Sequence, residues 1–180
     1  MVTVDVIVPC YRYGRFLRQC VMSALSQSDV RVRVLILDDA SPDETPEVAR
    51  ALMREDARVT YDRHVRNRGH IATYNEGLEW ATGDYTLLLS ADDWVLPGAF
   101  ARAVAVMEAD PSVGLVHGNA IELSEDGPVL EEAQADLAWT VQDGEAFLRE
   151  CRLHNLVVVC TAVVRTELQK RIGGYKPELP

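Results

Sequence analysis

The amino-acid sequence predicts an α/β fold with a mostly parallel central sheet and helices on both faces. Two observations support this prediction. The first 120 residues alternate short β-branched runs with segments whose apolar residues recur at helical spacing, and this β-α-β order is typical of parallel sheets. The run at 85–89 is apolar at nearly every position, which is typical of a central strand covered on both faces. The length of 180 residues fits one domain.

Each element of the first half follows from a local pattern. Residues 4–8 form a β-branched run that Pro9 stops, and residues 16–25 carry apolar side chains at helical spacing. In the next helix, predicted to run to about residue 55, Ser41 can cap, Pro42 suits the first helical position and Glu44 can close a capping box. The other predicted elements are strands at 32–37, 59–61, 85–89 and 113–117, and helices at 71–81 and about 98–109.

The pattern changes after residue 119. Residues 124–138 are polar and acidic, and they predict a long loop. A helix at 142–152, an apolar strand-like run at 157–164 and a short helix at 166–172 follow. We see no internal repeat and no linker, so we expect residues 1–180 to form a single domain.

The composition argues against several classes of protein. The formal net charge of -10 disfavours broad electrostatic binding to nucleic-acid phosphates or anionic lipid. No apolar stretch approaches the ~20 residues of a membrane span, and the N-terminus enters a strand-like run without a signal peptide. The four cysteines lack CxxC spacing, which favours thiols in a reducing compartment. We therefore expect a cytoplasmic protein with no nucleic-acid partner and no membrane span.

Chemically distinctive side chains follow three of the predicted strands, at 9–13, 38–41 and 90–94. Because ligands of open parallel sheets bind beyond the carboxyl ends of the strands, we expect these segments to line one edge of the sheet. The first strand is not followed by GxGxxG, and neither GxxxxGK[ST] nor GxSxG occurs. The commonest dinucleotide, P-loop and esterase motifs are therefore missing.

The acidic and aromatic residues at these strand ends each allow two interpretations. Asp92 and Asp93 suit Mg²⁺ or Mn²⁺ shared with substrate phosphates, but they also fit a solvated acidic loop. Asp38 and Asp39 can accept hydrogen bonds from a base or ribose, or they can cap the next turn. Tyr11 can stack on a base or pack against the protein.

Several segments lie in register with the predicted strand ends. They are VIVPCY at 6–11, LDDAS at 37–41, NRG at 67–69 with NEG at 75–77, GDY at 83–85 and SADD at 90–93. Together they resemble the family 2 glycosyltransferases, which have the GT-A fold. The resemblance covers about residues 3–120, and the GGY at 173–175 resembles the family's later acceptor-side motif.

The resemblance implies a role for each matching residue. Pro9 and Tyr11 would line the nucleobase pocket, and Asp39 would accept from the base, with Asp38 as structural support. The remaining matches are Arg68 near the base or phosphates of the donor, Asp92 as the ligand of Mn²⁺ or Mg²⁺, and Asp93 as a neighbouring ligand or sugar contact.

The implied reaction is transfer of a sugar, with inversion, from a nucleoside-diphosphate sugar to an acceptor hydroxyl or amine. A UDP-sugar is the expected donor, and the acceptor is unknown. In this interpretation residues 1–120 form the nucleotide-sugar-binding half, and residues 121–180 begin the acceptor-side half. The family's catalytic acid follows the GGY segment by a few residues, so we expect the general base downstream of Pro180 and an incomplete second half.

The sequence departs from the family's pattern at two positions. Ser90 replaces the first acid of the usual Asp-Ala-Asp, and Arg12 stands where Asn is commoner.

Two alternatives to a glycosyltransferase stay open. A non-catalytic nucleotide-sugar-binding domain is one alternative. A sugar nucleotidyltransferase is the other, although residues 10–15 hold a single glycine where that class has a glycine-rich loop. The histidines share no ligand spacing and are interpreted as not binding metal, His117 being a histidine of the core or cleft.

Overall fold

The computed structural model describes residues 1–121, 139–152 and 156–178. Its strands are β1 (Thr3–Cys10), β2 (Arg31–Asp38), β3 (Val59–Arg63), β4 (Tyr85–Leu88), β5 (Leu115–Val116) and β6 (Val163–Arg165). Its helices are α1 (Gly14–Leu25), α2 (Thr45–Glu55), α3 (His70–Trp80), α4 (Ala99–Ala109), α5 (Gly144–Cys151) and α6 (Thr166–Ile172).

The six strands form one sheet in the order β3-β2-β1-β4-β6-β5. β1 pairs in parallel with β2 and β4, β2 pairs in parallel with β3, and β6 runs antiparallel to both of its neighbours. Cys10 is level with Asp38, and Ile7 is level with Leu88. The carboxyl ends of β1, β2 and β4 therefore meet at one edge, as the predicted α/β class requires.

Helices cover both faces of this sheet. The larger core packs alternate strand residues such as Val6 and Val34 with residues of α1, α2 and α4, including Leu17 and Phe100. The opposite face packs Ile7, Leu35 and Leu37 of the strands with Leu78 of α3. A Cβ atom on Gly77 would overlap the side chain of Ile7, so glycine allows α3 to lie close against β1.

A buried ion pair joins the amino ends of three neighbouring strands. The side chain of Asp5 in β1 is fully buried and accepts hydrogen bonds from Arg33 of β2, through Nε at 2.8 Å and Nη2 at 2.6 Å. The backbone N–H groups of Thr82 and Gly83, just before β4, donate to Asp5 Oδ2 at 2.7 Å each. This cluster holds β1, β2 and β4 together at the end opposite the candidate site.

The prediction that Pro9 ends the first strand is wrong, since β1 continues through Cys10. Leu89 donates its N–H to the carbonyl of Ile7 at 2.9 Å, so odd-numbered residues of β1 face β4. The nitrogen of Pro9 points to the same side, where β4 has ended at Leu88. The missing N–H of proline therefore breaks no ladder hydrogen bond.

The predicted capping box at Ser41 is also wrong. α2 begins at Thr45, and Ser41 instead accepts a hydrogen bond from the backbone N–H of Arg12 at 3.1 Å. At the start of α2 the side chain of Asp43 accepts a hydrogen bond from the backbone N–H of Thr45 at 3.2 Å. Asp43 also accepts one from the backbone N–H of Gly14 at 3.1 Å. The Ser41 hydroxyl and the Asp43 carboxylate thus both bind residues 29 positions earlier in the sequence, which a local capping pattern does not include.

The second half differs more from the predictions. The expected strand at 157–164 is a 3-10 turn at Val159–Thr161 followed by the short β6, and the expected strand at 113–117 is only β5. α6 has its predicted bounds, and the other helix ends shift by up to a few residues. The loop predicted at 124–138 lies outside the described residues. Within the described ranges, none of the helices combines the length and hydrophobicity needed to cross a bilayer.

Candidate functional site

The predicted site residues lie along the carboxyl edge of the sheet. Pro9 lies near the end of β1, Asp39 directly follows β2, and Asp92 and Asp93 are in the loop after β4. Tyr11 follows β1 and is 38% exposed. The Arg12 guanidinium carbon lies 5.1 Å from the centre of the Tyr11 ring. The strand order places β1 between β2 and β4, so these segments are neighbours.

The carboxylate of Asp39 is held by donors from the segment after β3. The residue is 4% exposed. Oδ1 accepts from the backbone N–H of Arg68 at 2.7 Å and lies 2.6 Å from Nδ1 of His64. Oδ2 accepts from the backbone N–H of Gly69 at 2.9 Å. Within the described ranges these three contacts use three of the roughly four acceptor positions of a carboxylate, and the remaining one is on Oδ2.

The same contacts keep Asp39 ionised. Burial by itself would raise the pKa of Asp39, but the hydrogen bonds from His64, Arg68 and Gly69 outweigh it and lower the pKa below the ordinary value of an aspartate. The site therefore presents a carboxylate, which can only accept hydrogen bonds, at neutral pH.

His64 and Glu76 are site residues that the sequence analysis missed. His64 follows β3 directly, and its backbone N–H donates to the carbonyl of Asp38 at 2.9 Å. Its Nε2 lies 3.1 Å from a carboxylate oxygen of Glu76 on α3 and 3.5 Å from Nη1 of Arg68. Arg68 also forms an ion pair with Glu76. The position of His64 after a strand, at the same edge as Asp39, was an available signal.

Asp38 has the structural role that the sequence analysis preferred. It is fully buried and points away from Asp39. Its Oδ1 accepts from the N–H of Ser41 at 2.7 Å, and its Oδ2 lies 3.0 Å from the hydroxyl of Tyr61 and 3.1 Å from Nε of Arg63. Asp38 thus stabilises the loop that carries Asp39.

Asp92 and Asp93 are half-buried in a turn closed by a hydrogen bond from the N–H of Asp93 to the carbonyl of Ser90 at 2.9 Å. Burial, together with the charge and hydrogen bonding of Asp93, raises the pKa of the Cys160 thiol to about 12. Burial and the negative charge of Asp92 also raise the pKa of Tyr74 on α3. The loop after β4 therefore lies within electrostatic range of both α3 and the 3-10 turn.

The donor set at this turn fits a hard divalent cation. The described ranges hold no group of three or more His, Cys, Asp or Glu side chains arranged around a metal position. Asp92 and Asp93 could supply one or two oxygen ligands, and Mg²⁺ and Mn²⁺ characteristically complete such a shell with water and substrate phosphates. A cation would also offset the repulsion between the adjacent carboxylates.

Each residue of the NEG segment at 75–77 connects α3 to another part of the structure. Gly77 permits close packing on β1, Glu76 contacts His64, and Asn75 binds the backbone of Tyr175. The Asn75 amide donates to the carbonyl of Tyr175 at 2.9 Å and accepts from its N–H at 2.7 Å. The rings of Tyr175 and Tyr74 meet edge to face, 5.6 Å apart. The GGY segment is thereby docked against α3.

Comparison with known proteins gives consistent results. Residues 5–166 match the model of the family described as Glycosyl transferase family 2. An uncharacterized glycosyltransferase of Haemophilus influenzae is 31% identical over 119 residues, which is 66% of this chain and 47% of that protein. An uncharacterized glycosyltransferase of Nostoc is 30% identical over 154 residues, which is 80% of this chain and 47% of that protein. The chain thus spans about half the length of these curated relatives.

Solved structures share the fold. The mannosyltransferase PcManGT from Pyrobaculum calidifontis, in complex with GDP-Man and Mn²⁺, has a TM-score of 0.70 at 24% identity, covering 97% of this chain and 48% of that chain. S. aureus TarS 1-349 has a TM-score of 0.74 at 21% identity, covering 98% and 51%. The same TarS protein in complex with UDP-GlcNAc has a TM-score of 0.71 at 20% identity, covering 94% and 47%. The fold of the described chain is therefore the expected GT-A fold.

Proposed function

We propose that this chain, which belongs to glycosyl transferase family 2, binds the nucleoside-diphosphate part of a sugar donor, and that the protein transfers the sugar to an acceptor hydroxyl or amine. The observation that carries the proposal is the placement of Asp39 and of Asp92 with Asp93 at the ends of the two strands that flank β1. Strand ends two positions apart are separated by roughly 10 Å, a span that a nucleotide can bridge from base to diphosphate.

The Asp39 end suits the nucleobase. One acceptor position on its Oδ2 can take a single N–H, and uracil or thymine presents one N–H between two carbonyl groups. Guanine presents two neighbouring N–H donors, for which a carboxylate with both oxygens accessible is better suited. This favours a uracil or thymine base over guanine, and of these we propose a UDP-sugar as the donor. Tyr11, exposed beside Asp39 in the next loop, would stack on the base, with Pro9 beneath it.

The Asp92 end suits the diphosphate. A bound Mn²⁺ or Mg²⁺ would neutralise the charge that develops on the departing diphosphate. Asp92 would hold the ion, and Asp93 would contribute a neighbouring oxygen or a sugar contact. The guanidinium of Arg68 is paired with Glu76, so Arg68 contributes to the base site chiefly through its backbone N–H to Asp39. We propose inversion at the anomeric carbon and assign no general base among the described residues.

Metal-dependent binding tests the proposal. Titration calorimetry of the chain with UDP, dTDP and GDP should show the tightest binding for UDP, and clearly tighter binding with Mn²⁺ or Mg²⁺ than with a chelator. Asp92→Asn should remove the metal dependence while leaving thermal unfolding unchanged. Asp84→Asn is the matched control, because Asp84 is exposed at the opposite end of β4. Equal affinity of the unmutated chain for UDP with Mn²⁺ and with chelator would contradict the role of Asp92.

A non-catalytic nucleotide-sugar-binding domain is the second candidate. The features described above account for donor binding, and no described side chain is assigned to activate an acceptor. The two functions differ in turnover: an enzyme consumes the donor, faster when an acceptor is supplied, whereas a binding domain leaves a UDP-sugar intact. Release of UDP from UDP-sugars with and without candidate acceptors separates them.

A further inference from the structure

The imidazole of His64 is buried between two carboxylates. Its side chain is 6% exposed, with Nδ1 2.6 Å from Oδ1 of Asp39 and Nε2 3.1 Å from Oε2 of Glu76. Its backbone N–H donates to the carbonyl of Asp38, which fixes the ring beside the end of β2. Nη1 of Arg68 lies 3.5 Å from Nε2. Both ring nitrogens therefore have a polar partner, unlike those of a histidine that only fills space.

The geometry assigns the ring proton. A neutral imidazole carries one N–H, and an ionised carboxylate can only accept. The shorter contact, at 2.6 Å, requires a proton on Nδ1 donated to Asp39. Nε2 then faces Glu76 and Arg68, and Nη1 of Arg68 at 3.5 Å is the donor available to it.

The bond from His64 is one of three, among the described residues, that fix the direction of the Asp39 carboxylate. His64 and the N–H of Arg68 both bind Oδ1, and Gly69 alone binds Oδ2 within the described ranges. Without the imidazole donor, one fewer contact would oppose rotation of the carboxylate about its terminal bond. The backbone N–H groups of Arg68 and Gly69 would then be the remaining donors in the described part of the chain, and the direction of the free acceptor position on Oδ2 would be less strictly fixed.

We infer that His64 is a positioning residue for the nucleobase, holding Asp39 through the hydrogen bond from Nδ1 so that Oδ2 meets the N–H of the base. This inference rests on the proposed function, in which Asp39 binds the base. His64 acts through Asp39 and does not touch the diphosphate end of the site. Its loss should therefore weaken ligands that contain the base and leave diphosphate binding unchanged.

Two substitutions separate positioning from space filling. The amide of Asn is bonded at Cγ, as Nδ1 of His is, so His64→Asn keeps a donor facing Asp39. The amide of Gln is one bond further out, so His64→Gln keeps a polar group near Glu76 and loses the donor to Asp39. If the ring only filled space, the larger Gln would be the better replacement. His117→Gln is the control, because His117 is a half-buried histidine just after β5, at the far side of the sheet.

The test is titration calorimetry with uridine, with UDP and Mn²⁺, and with pyrophosphate and Mn²⁺. We expect His64→Gln to bind uridine and UDP about tenfold or more weakly, the value of a hydrogen bond to a charged group. His64→Asn should remain within about fivefold of the unmutated chain, since the lost contact with partly exposed Glu76 contributes little. Pyrophosphate affinity should match that of His117→Gln in both variants, and circular dichroism should show that both are folded at the temperature of the titration.

The possible failures are distinguishable. If the unmutated chain binds neither uridine nor UDP, the proposed function is wrong, and the inference falls with it. If Asp39→Asn weakens uridine binding while His64→Gln binds like the unmutated chain, the inference alone is wrong. Equal losses for all three ligands would assign His64 a purely structural role. Proton–nitrogen NMR of the His64 ring adds a check that needs no His64 variant. A downfield proton resonance on Nδ1 that is lost in Asp39→Asn supports the inference. A ring proton found on Nε2 alone overturns it.

Discussion

Replacing Asp5 by Asn tests how much the buried cluster at the amino ends of β1, β2 and β4 stabilises the sheet. Asn keeps the shape of the side chain, so the substitution creates no cavity and removes mainly the charge. The Asp5 carboxylate accepts four hydrogen bonds, two from Arg33 and one each from the backbone N–H groups of Thr82 and Gly83. The amide nitrogen of Asn cannot accept, so at least one of these donors would face another donor.

The expected loss of stability follows from these contacts. Breaking a fully buried ion pair costs about 3–5 kcal/mol, because one charge is left without its partner. The Arg33 side chain is 38% exposed and can be partly rehydrated, so we place Asp5→Asn at about 3 kcal/mol. For a domain of this length, each kcal/mol shifts the thermal midpoint by about 2–4 °C, which gives a decrease of about 6–12 °C.

Urea and thermal unfolding, followed by circular dichroism, measure this loss. Asp84→Asn is the matched control. Asp84 is exposed, and its carboxylate accepts a hydrogen bond from the N–H of Thr3 at 2.8 Å, so the substitution should cost less than about 1 kcal/mol. UDP affinity of the folded Asp5 variant should be unchanged. A decrease of stability no larger than that of the control would refute the reasoning that this buried cluster anchors the sheet.

Two further predictions concern the docked GGY segment and the stability of the fold at acid pH. Asn75→Ala and Gly174→Ala should each speed hydrogen exchange at the Tyr175 amide about tenfold. Asn75→Ala removes two hydrogen bonds to Tyr175, and in Gly174→Ala the new Cβ would overlap the Asn75 side chain. Gly118→Ala is the control, because a Cβ at residue 118 meets open space and should leave this exchange rate unchanged. Unchanged exchange in Asn75→Ala would contradict this docking. Burial opposes ionisation of Asp39, but its hydrogen bonds prevail and lower its pKa, so its stabilising contribution is complete above about pH 4 and is lost as the pH falls through the lowered value. Urea midpoints from pH 7 to 2.5 should decline less steeply in Asp39→Asn, and identical slopes would exclude this contribution.

Local patterns in the sequence were sufficient for the fold class and for the edge that carries the site. The apolar β-branched runs and helical spacings predicted the parallel strands and their covering helices, because burial of apolar side chains repeats with the period of each element. Since parallel strands end at one edge, the order of elements also placed Tyr11, Asp39 and Asp92 together. The roles of these residues remain proposals.

The tertiary structure decided the contacts that join distant segments. His64 meets Asp39 from 25 residues away, and Asn75 binds Tyr175 across 100 residues. The Ser41 hydroxyl, which a local pattern assigned to capping, instead accepts from the N–H of Arg12, 29 residues away, and α2 starts at Thr45. Such contacts depend on strand order and on the distance between packed elements, and neither quantity is encoded in a short window of sequence.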